Sequence, residues 1–269
     1  MQIFFNIGLQ ATISCYSNQE MENTKKVIAI NGSYRRTGTT TQLTEAALEG
    51  AASVGMDTEM ILLRDKDIRY CTNCLMCYKD LDSEIAPCSI NDDMGEILRK
   101  TVGSDGIILS SAVHNGFITG LMTVFFERMV WRLCRPTGRI LNFRGAPQPR
   151  SKKCRALCTI VSAGSMPTNL GKRYCNDGTP FMRQNGCLIL NADWVGDVYA
   201  GGEFSKKLRG EDWQRAYLYK ELTDAQLREA KDLGVKMAEM IKADRLRPLH
   251  PFGRIGPLLD IVTGWFIRE

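Results

Sequence analysis

Val27-Ile28-Ala29-Ile30-Asn31-Gly32-Ser33-Tyr34-Arg35-Arg36-Thr37-Gly38-Thr39-Thr40-Thr41 is the stretch on which the fold turns. Its first four residues are apolar without alternation, the pattern of a strand covered on both faces of a parallel sheet. The residues that follow are rich in Gly, Ser and Thr and lead into a helix predicted to run to about Val54. A strand, a hydroxyl-rich loop and a helix N-terminus together make a phosphate site in outline. Free backbone N–H groups and the positive helix end face the anion, and hydroxyls add donors.

The loop lacks a Walker lysine, and its glycines do not match the dinucleotide fingerprint. A monophosphate such as that of FMN suits it; a merely polar loop with a good helix cap is the plainer alternative. Outward from this unit, apolar runs predict strands at Thr58–Leu63, Gly106–Ser111, Arg155–Ser162 and Trp194–Tyr199. Asn91-Asp92-Asp93 is predicted to cap a helix over Met94–Thr101, with Leu121–Leu133 a second, amphipathic helix. Thr223-Asp224-Ala225-Gln226 caps a last helix reaching Ala243. Five strands alternating with helices predict an α/β fold, a doubly wound five-stranded parallel sheet. Ligands of such sheets bind beyond the carboxyl ends of the strands. The loops after strands one, three (Ala112 to Gly120) and four (Ala163-Gly164-Ser165) meet there.

Between the second strand and the Met94 helix lies Cys71-Thr72-Asn73-Cys74-Leu75-Met76-Cys77, then ten residues, then Cys88. Three cysteines at two-residue intervals plus a fourth behind Pro87 let four thiolates converge, as an iron–sulfur cluster requires. Zinc is the rival for four thiolates, although its sites more often bring cysteines as two separated pairs. Ordinary core or disulfide cysteines are the bland reading.

The totals set limits. The chain has 269 residues, ten cysteines and a net charge of +5. The charge is too mild to imply nucleic acid, and no apolar run reaches the 18 to 20 or so residues that span a bilayer. Many cysteines without a convincing secretory signal fit a reducing compartment, so a cytoplasmic protein is expected. Residues 1–25 read as an appendage, 26–243 as the domain with its cysteine loop at 71–88, and 244–269 as an extension.

In combination, Asn31 to Thr40, the cysteine run, Asp92-Asp93-Met94, and Ser111 to Gly120 with Glu127-Arg128 resemble the NADPH-dependent FMN reductase superfamily, most of all its iron–sulfur flavoprotein branch. The resemblance covers about Lys26–Tyr199. It implies a flavodoxin-like fold, FMN, a 4Fe–4S cluster and a homodimer or homotetramer. By position it implies a phosphate loop of Ser33, Arg35, Gly38, Thr39 and Thr40. It likewise implies a ring-lining loop of Val113, His114, Asn115, Gly116 and Phe117, and a third loop of Ala163, Gly164 and Ser165. Two features depart from the family: the ten-residue interval before Cys88 is longer, and Ala112 and His114 stand where Pro and Tyr are common. The second implies an altered substrate space above the flavin.

His114, one of two histidines, is the candidate catalytic residue, since an imidazole can exchange a proton near neutrality; a backbone-positioning role is the alternative. Cys154, Cys158, Cys175 and Cys187 show no ligand-like grouping and read as packing residues. Arg132, Arg135, Arg139, Arg144, Arg150, Lys152, Lys153 and Arg155 occur with no acid among them. They could dock an acidic electron carrier or hold NADPH phosphates, against the alternative of a solvated loop. In the extension, Leu259, Trp265 and Phe266 are expected to pack on another subunit. The sequence thus reads as an oxidoreductase moving electrons between a one-electron carrier protein such as ferredoxin, or NAD(P)H, and a small-molecule acceptor. FMN and a cluster on Cys71, Cys74, Cys77 and Cys88 would carry them. The alternatives are an NAD(P)H-dependent flavin, quinone or nitro reductase without a cluster, and a non-enzymatic flavodoxin-like carrier.

Overall fold

The computed structural model describes residues 24–140, 143–164, 166–248, 258–259 and 261–263. Strand β1 (Lys26–Asn31) lies inside a five-stranded sheet with β2 (Asp57–Leu62), β3 (Gly106–Ala112), β6 (Arg155–Ser162) and β7 (Ala192–Ala200). Their order is β2-β1-β3-β6-β7 and every pairing is parallel, which is the flavodoxin-like arrangement. Period-two alternation divides each strand between two cores. Ile28 and Ile30 face one side with α3 (Met94–Gly103), α4 (Gly120–Leu133) and α6 (Gly178–Leu190). Val27 and Ala29 face the other, under α1 (Thr39–Ser53) and α7 (Asp224–Lys242).

Helices α1 and α7 touch backbone to backbone. A Cβ on Gly50 would sit 2.0 Å from the Lys231 carbonyl oxygen, and one on Gly234 would sit 1.8 Å from that of Ala47. The Thr223–Gln226 capping box forms as the sequence predicts. At α3 the expected cap differs: Asp93 caps without a side-chain bond, while Asp92 Oδ1 accepts the Met94 amide at 3.2 Å.

Several elements lack a strong local signal. The short helix α2 (Met76–Lys79) sits in the cysteine loop, and α5 (Thr168–Tyr174) precedes α6. The hairpin β4 (Cys134–Ile140) and β5 (Phe143–Pro149) grows from the end of α4. A small flap consists of β8 (Glu203–Phe204), a 3₁₀ segment at Gly210–Leu218 and β9 (Lys220–Glu221). Among the described residues no helix is long and apolar enough to cross a membrane. Trp265 and Phe266 lie outside the described residues; Leu258 and Ile261 within them are exposed.

Candidate functional site

The first loop is built by its own side chains. Asn31 Oδ1 accepts the Ser33 amide at 2.7 Å, and Ser33 Oγ both accepts from the Arg35 amide (3.1 Å) and donates to the Arg35 carbonyl (3.0 Å). Thr41 Oγ1 donates to that same carbonyl at 3.1 Å. These bonds curl the chain into α1, whose N-cap is Gly38 with no side-chain bond to the first turn. The helix therefore presents its amides uncapped. Thr39 and Thr40 hydroxyls lie 3.3 and 2.6 Å from Ser162 Oγ at the end of β6, so the first and third loops share one hydroxyl cluster. Thr119, N-cap of α4, donates to the Gly32 carbonyl at 2.8 Å. A Cβ at Gly32 would lie 2.9 Å from the Thr119 hydroxyl oxygen, so this approach requires glycine.

The second loop is a tight turn in which His114 and Phe117 exchange both backbone hydrogen bonds, at 2.8 and 2.9 Å. Asn115 and Gly116 take φ values of 50° and 79°, the positive pair that such a turn needs. His114 is exposed and stacks on Tyr34 of the first loop, with centroids 5.2 Å apart and planes at 22°. Val113 is tied to the third loop through its amide to the Ser162 carbonyl. Ala163 is buried and Gly164 exposed, while Ser165 lies outside the described residues. The structure thus brings all three expected loops to one edge of the sheet.

Asn31, Tyr34, Ser162 and Lys220 also belong to this edge. Asn31, the last residue of β1, and Tyr34 fall in the stretch the sequence singles out, though without a role of their own; Ser162 and Lys220 carry no such signal. Lys220 Nζ donates to the Ala163 carbonyl. Burial, with Arg35 nearby adding to it, pushes this amine down to about 8.

The four cysteines of the second region line one cavity of about 470 Å³, counting its open mouth, with Glu127, Arg128, Trp131 and Arg132 in its wall. Among the described residues no three His, Cys, Asp or Glu side chains gather tightly enough to hold a single metal ion. The donor set is four free thiols around one cavity, the ligand chemistry that a thiolate-held cluster takes. Backbone amides already turn toward sulfur, Asn73 N to Cys71 Sγ at 3.4 Å and Ile90 N to Cys88 Sγ at 3.5 Å. Asn73 and Leu75 adopt left-handed φ values of 51° and 61°. For Leu this is a strained backbone of the sort found at functional sites.

The thiols differ in environment. The Ser89 hydroxyl, 3.1 Å from Cys74 Sγ, holds that thiol below its ordinary range. Burial pushes Cys77 up, and the closeness of Cys88, Cys71 and Cys74 adds to it.

Residues 78–87, the long interval, are anchored by arginines. Arg150, with a fully buried side chain, donates to the carbonyls of Cys77, Asp80 and Ser83 and to the Asp80 carboxylate at 3.0 Å. Arg132 Nε donates to the Ala86 carbonyl at 3.0 Å, and Arg135 reaches Leu81. Arg128 and Asp92, each with a side chain 1% exposed, pair at 2.6 Å, and Arg128 Nη2 lies 3.5 Å from Cys88 Sγ. Burial opposes ionisation of Asp92, but Arg128 together with the Arg69 and Met94 amides outweighs it and keeps the carboxyl below the usual range. The basic block of the sequence is therefore not one solvent-facing patch. Arg132, Arg135 and Arg150 hold the cysteine loop, and Arg155 is buried in the domain.

Residues 25–147 match the sequence profile of the family described as NADPH-dependent FMN reductase. An iron–sulfur flavoprotein of Methanocaldococcus jannaschii is 42% identical over 103 residues, 38% of this chain and 51% of that protein. One from Archaeoglobus fulgidus is 32% identical over 130 residues, 46% of this chain and 57% of that protein. The chain thus spans about half the length of the curated relatives it matches. A solved structure titled flavone reductase, 21% identical, superposes with a TM-score of 0.55 over 82% of this chain and 64% of that one, a likeness of fold.

Proposed function

We propose that this chain, whose residues 25–147 belong to the NADPH-dependent FMN reductase family and which sides with its iron–sulfur flavoprotein branch, is an FMN-dependent oxidoreductase with a 4Fe–4S cluster on Cys71, Cys74, Cys77 and Cys88. The observation that carries it is the presence in one domain of an uncapped helix N-terminus ringed by hydroxyls, at the carboxyl edge of the sheet, and of a cavity lined by four free thiols against α4. FMN exchanges one or two electrons and a cluster exchanges one, so together they convert between one-electron carriers and two-electron substrates.

The protein's share is binding and orientation. Ser33, Arg35, Gly38, Thr39 and Thr40 would take the phosphate, with Lys220 as an added cation. Val113 to Phe117 and Ala163 to Ser165 would line the ring. His114, exposed and held against Tyr34, stands where it could hand a proton to a reduced acceptor. All nine described cysteines are free, which suits a cytoplasmic, reducing compartment. Ferredoxin or NAD(P)H would supply electrons. Tyr70, Leu75, Met76 and Leu81, exposed around the cysteine loop, suit cover by a second subunit in a homodimer or homotetramer. The test is anaerobic purification with flavin, iron and sulfide analysis. One FMN with about four iron and four sulfide per chain is expected; stoichiometric zinc without sulfide contradicts the reading.

A further inference from the structure

The wall of the cysteine cavity is electrically lopsided. On the Cys71 side, Glu127 is exposed to water and accepts the Cys71 amide at 3.3 Å. On the Cys88 side stand two guanidiniums of α4, one turn apart. Arg128 is matched by Asp92 at 2.6 Å in a pair closed to solvent, so it offers Cys88 an N–H donor and little net charge. Arg132 is half-buried, lines the same cavity and donates to the Ala86 carbonyl. Among the described residues it makes no ion pair. A half-buried charge is screened less than an exposed one, so Arg132 outweighs Glu127 inside the cavity.

We propose that Arg132 tunes the reduction potential of the group held by the four cysteines, with the Arg128–Asp92 pair balancing the charge on the same side. This rests on the cluster reading above. On reduction, one electron from an external one-electron donor enters a core already surrounded by thiolates. No bond breaks and no proton moves, so negative charge at the cavity grows by one. An unpaired cation at its wall favours the reduced form, and an N–H donor to sulfur acts in the same direction. Removing the cation must lower the potential, whereas removing the carboxylate that cancels Arg128 must raise it.

The experiment is an anaerobic dithionite titration of the flavin- and cluster-loaded protein, followed by EPR, with iron and sulfide measured on each sample. Arg132→Gln should shift the ratio of reduced to oxidised cluster at a fixed ambient potential by about tenfold toward oxidised, a fall of about 59 mV for one electron. Arg132→Lys should stay close to wild type, and Asp92→Asn should shift the ratio the opposite way. A merely structural role would not give shifts of opposite sign. Arg132→Gln with full iron and an unchanged potential overturns the inference alone. Wild-type protein lacking iron and sulfide overturns the cluster reading and the inference with it.

Discussion

The two loops that define the site are made in opposite ways. In the phosphate-type loop the bonds that shape the turn, from Asn31, Ser33 and Thr41, reach partners ten residues away or fewer; Thr119, Ser162 and Tyr217 are its distant partners. In the cysteine loop the interval between Cys77 and Cys88 has one internal side-chain tie, Asp80 to Ser83. Its carbonyls are instead held by arginines 46 to 73 positions onward. A locally made loop keeps its shape by turn chemistry, while a remotely held one depends on buried charges finding every acceptor. The second is therefore the more fragile.

Breaking the remote anchor should have the largest effect. Arg150→Met strands the carbonyls of Cys77, Asp80 and Ser83, while the Asp80 carboxylate keeps its Ser83 bonds, and should cost about 3 kcal/mol in denaturant unfolding. The dependence on denaturant should stay unchanged. A loss below about 1 kcal/mol would make the cysteine loop as self-sufficient as the first. Next comes the Arg128–Asp92 pair. Asp92→Asn leaves one acceptor and should cost about 2 kcal/mol at neutral pH. The carboxyl sits below its ordinary 3.8 in the fold, so the pair contributes fully above that value. Its contribution fades as pH falls through the lowered value, and the gap between wild type and variant should narrow on acidification. A gap constant with pH contradicts the assignment.

In the locally made loop a single hydroxyl matters less to folding and more to the ligand. Thr40→Ala should weaken FMN by roughly tenfold, about 1.4 kcal/mol, and leave riboflavin almost untouched; calorimetry with both flavins measures the difference. The smallest effect belongs to Lys220, whose amine falls from 10.5 to about 8. FMN should bind less tightly than riboflavin does, relative to neutral pH, as pH rises through 8 and the cation is lost. The flavin-free protein should gain stability between about pH 8 and 10.5, because there the unfolded chain holds the proton and the fold does not. Lys220→Met should remove both dependences.

The same contrast explains what could be read from sequence. Val27–Ile30, Gly106–Ser111 and Arg155–Ser162 announce the inner strands of a parallel sheet because burial on both faces leaves few polar positions. The half-buried edge strands β2 and β7 carry Glu59 and Asp197 and announce themselves less clearly. Thr223-Asp224-Ala225-Gln226 announces its helix by local bonding. The cysteine spacing announces a shared cavity. Nothing near Cys88 shows that Arg132 and Arg150 close the long interval. Their cluster of like charges reads as a surface patch until the fold turns them onto carbonyls. Lys220 is invisible for a related reason: its two-residue strand has no periodicity, and its burial comes from packing on Ala163.

The central claim is that distant arginines bring Cys88 to the other three cysteines in spite of the long interval. Iron and sulfide content of anaerobically prepared Cys88→Ser, beside Cys74→Ser and Cys154→Ser, tests it most directly. The account predicts loss of the four-iron content in Cys88→Ser as complete as in Cys74→Ser, with Cys154→Ser unaffected. Full iron and sulfide in Cys88→Ser would contradict it.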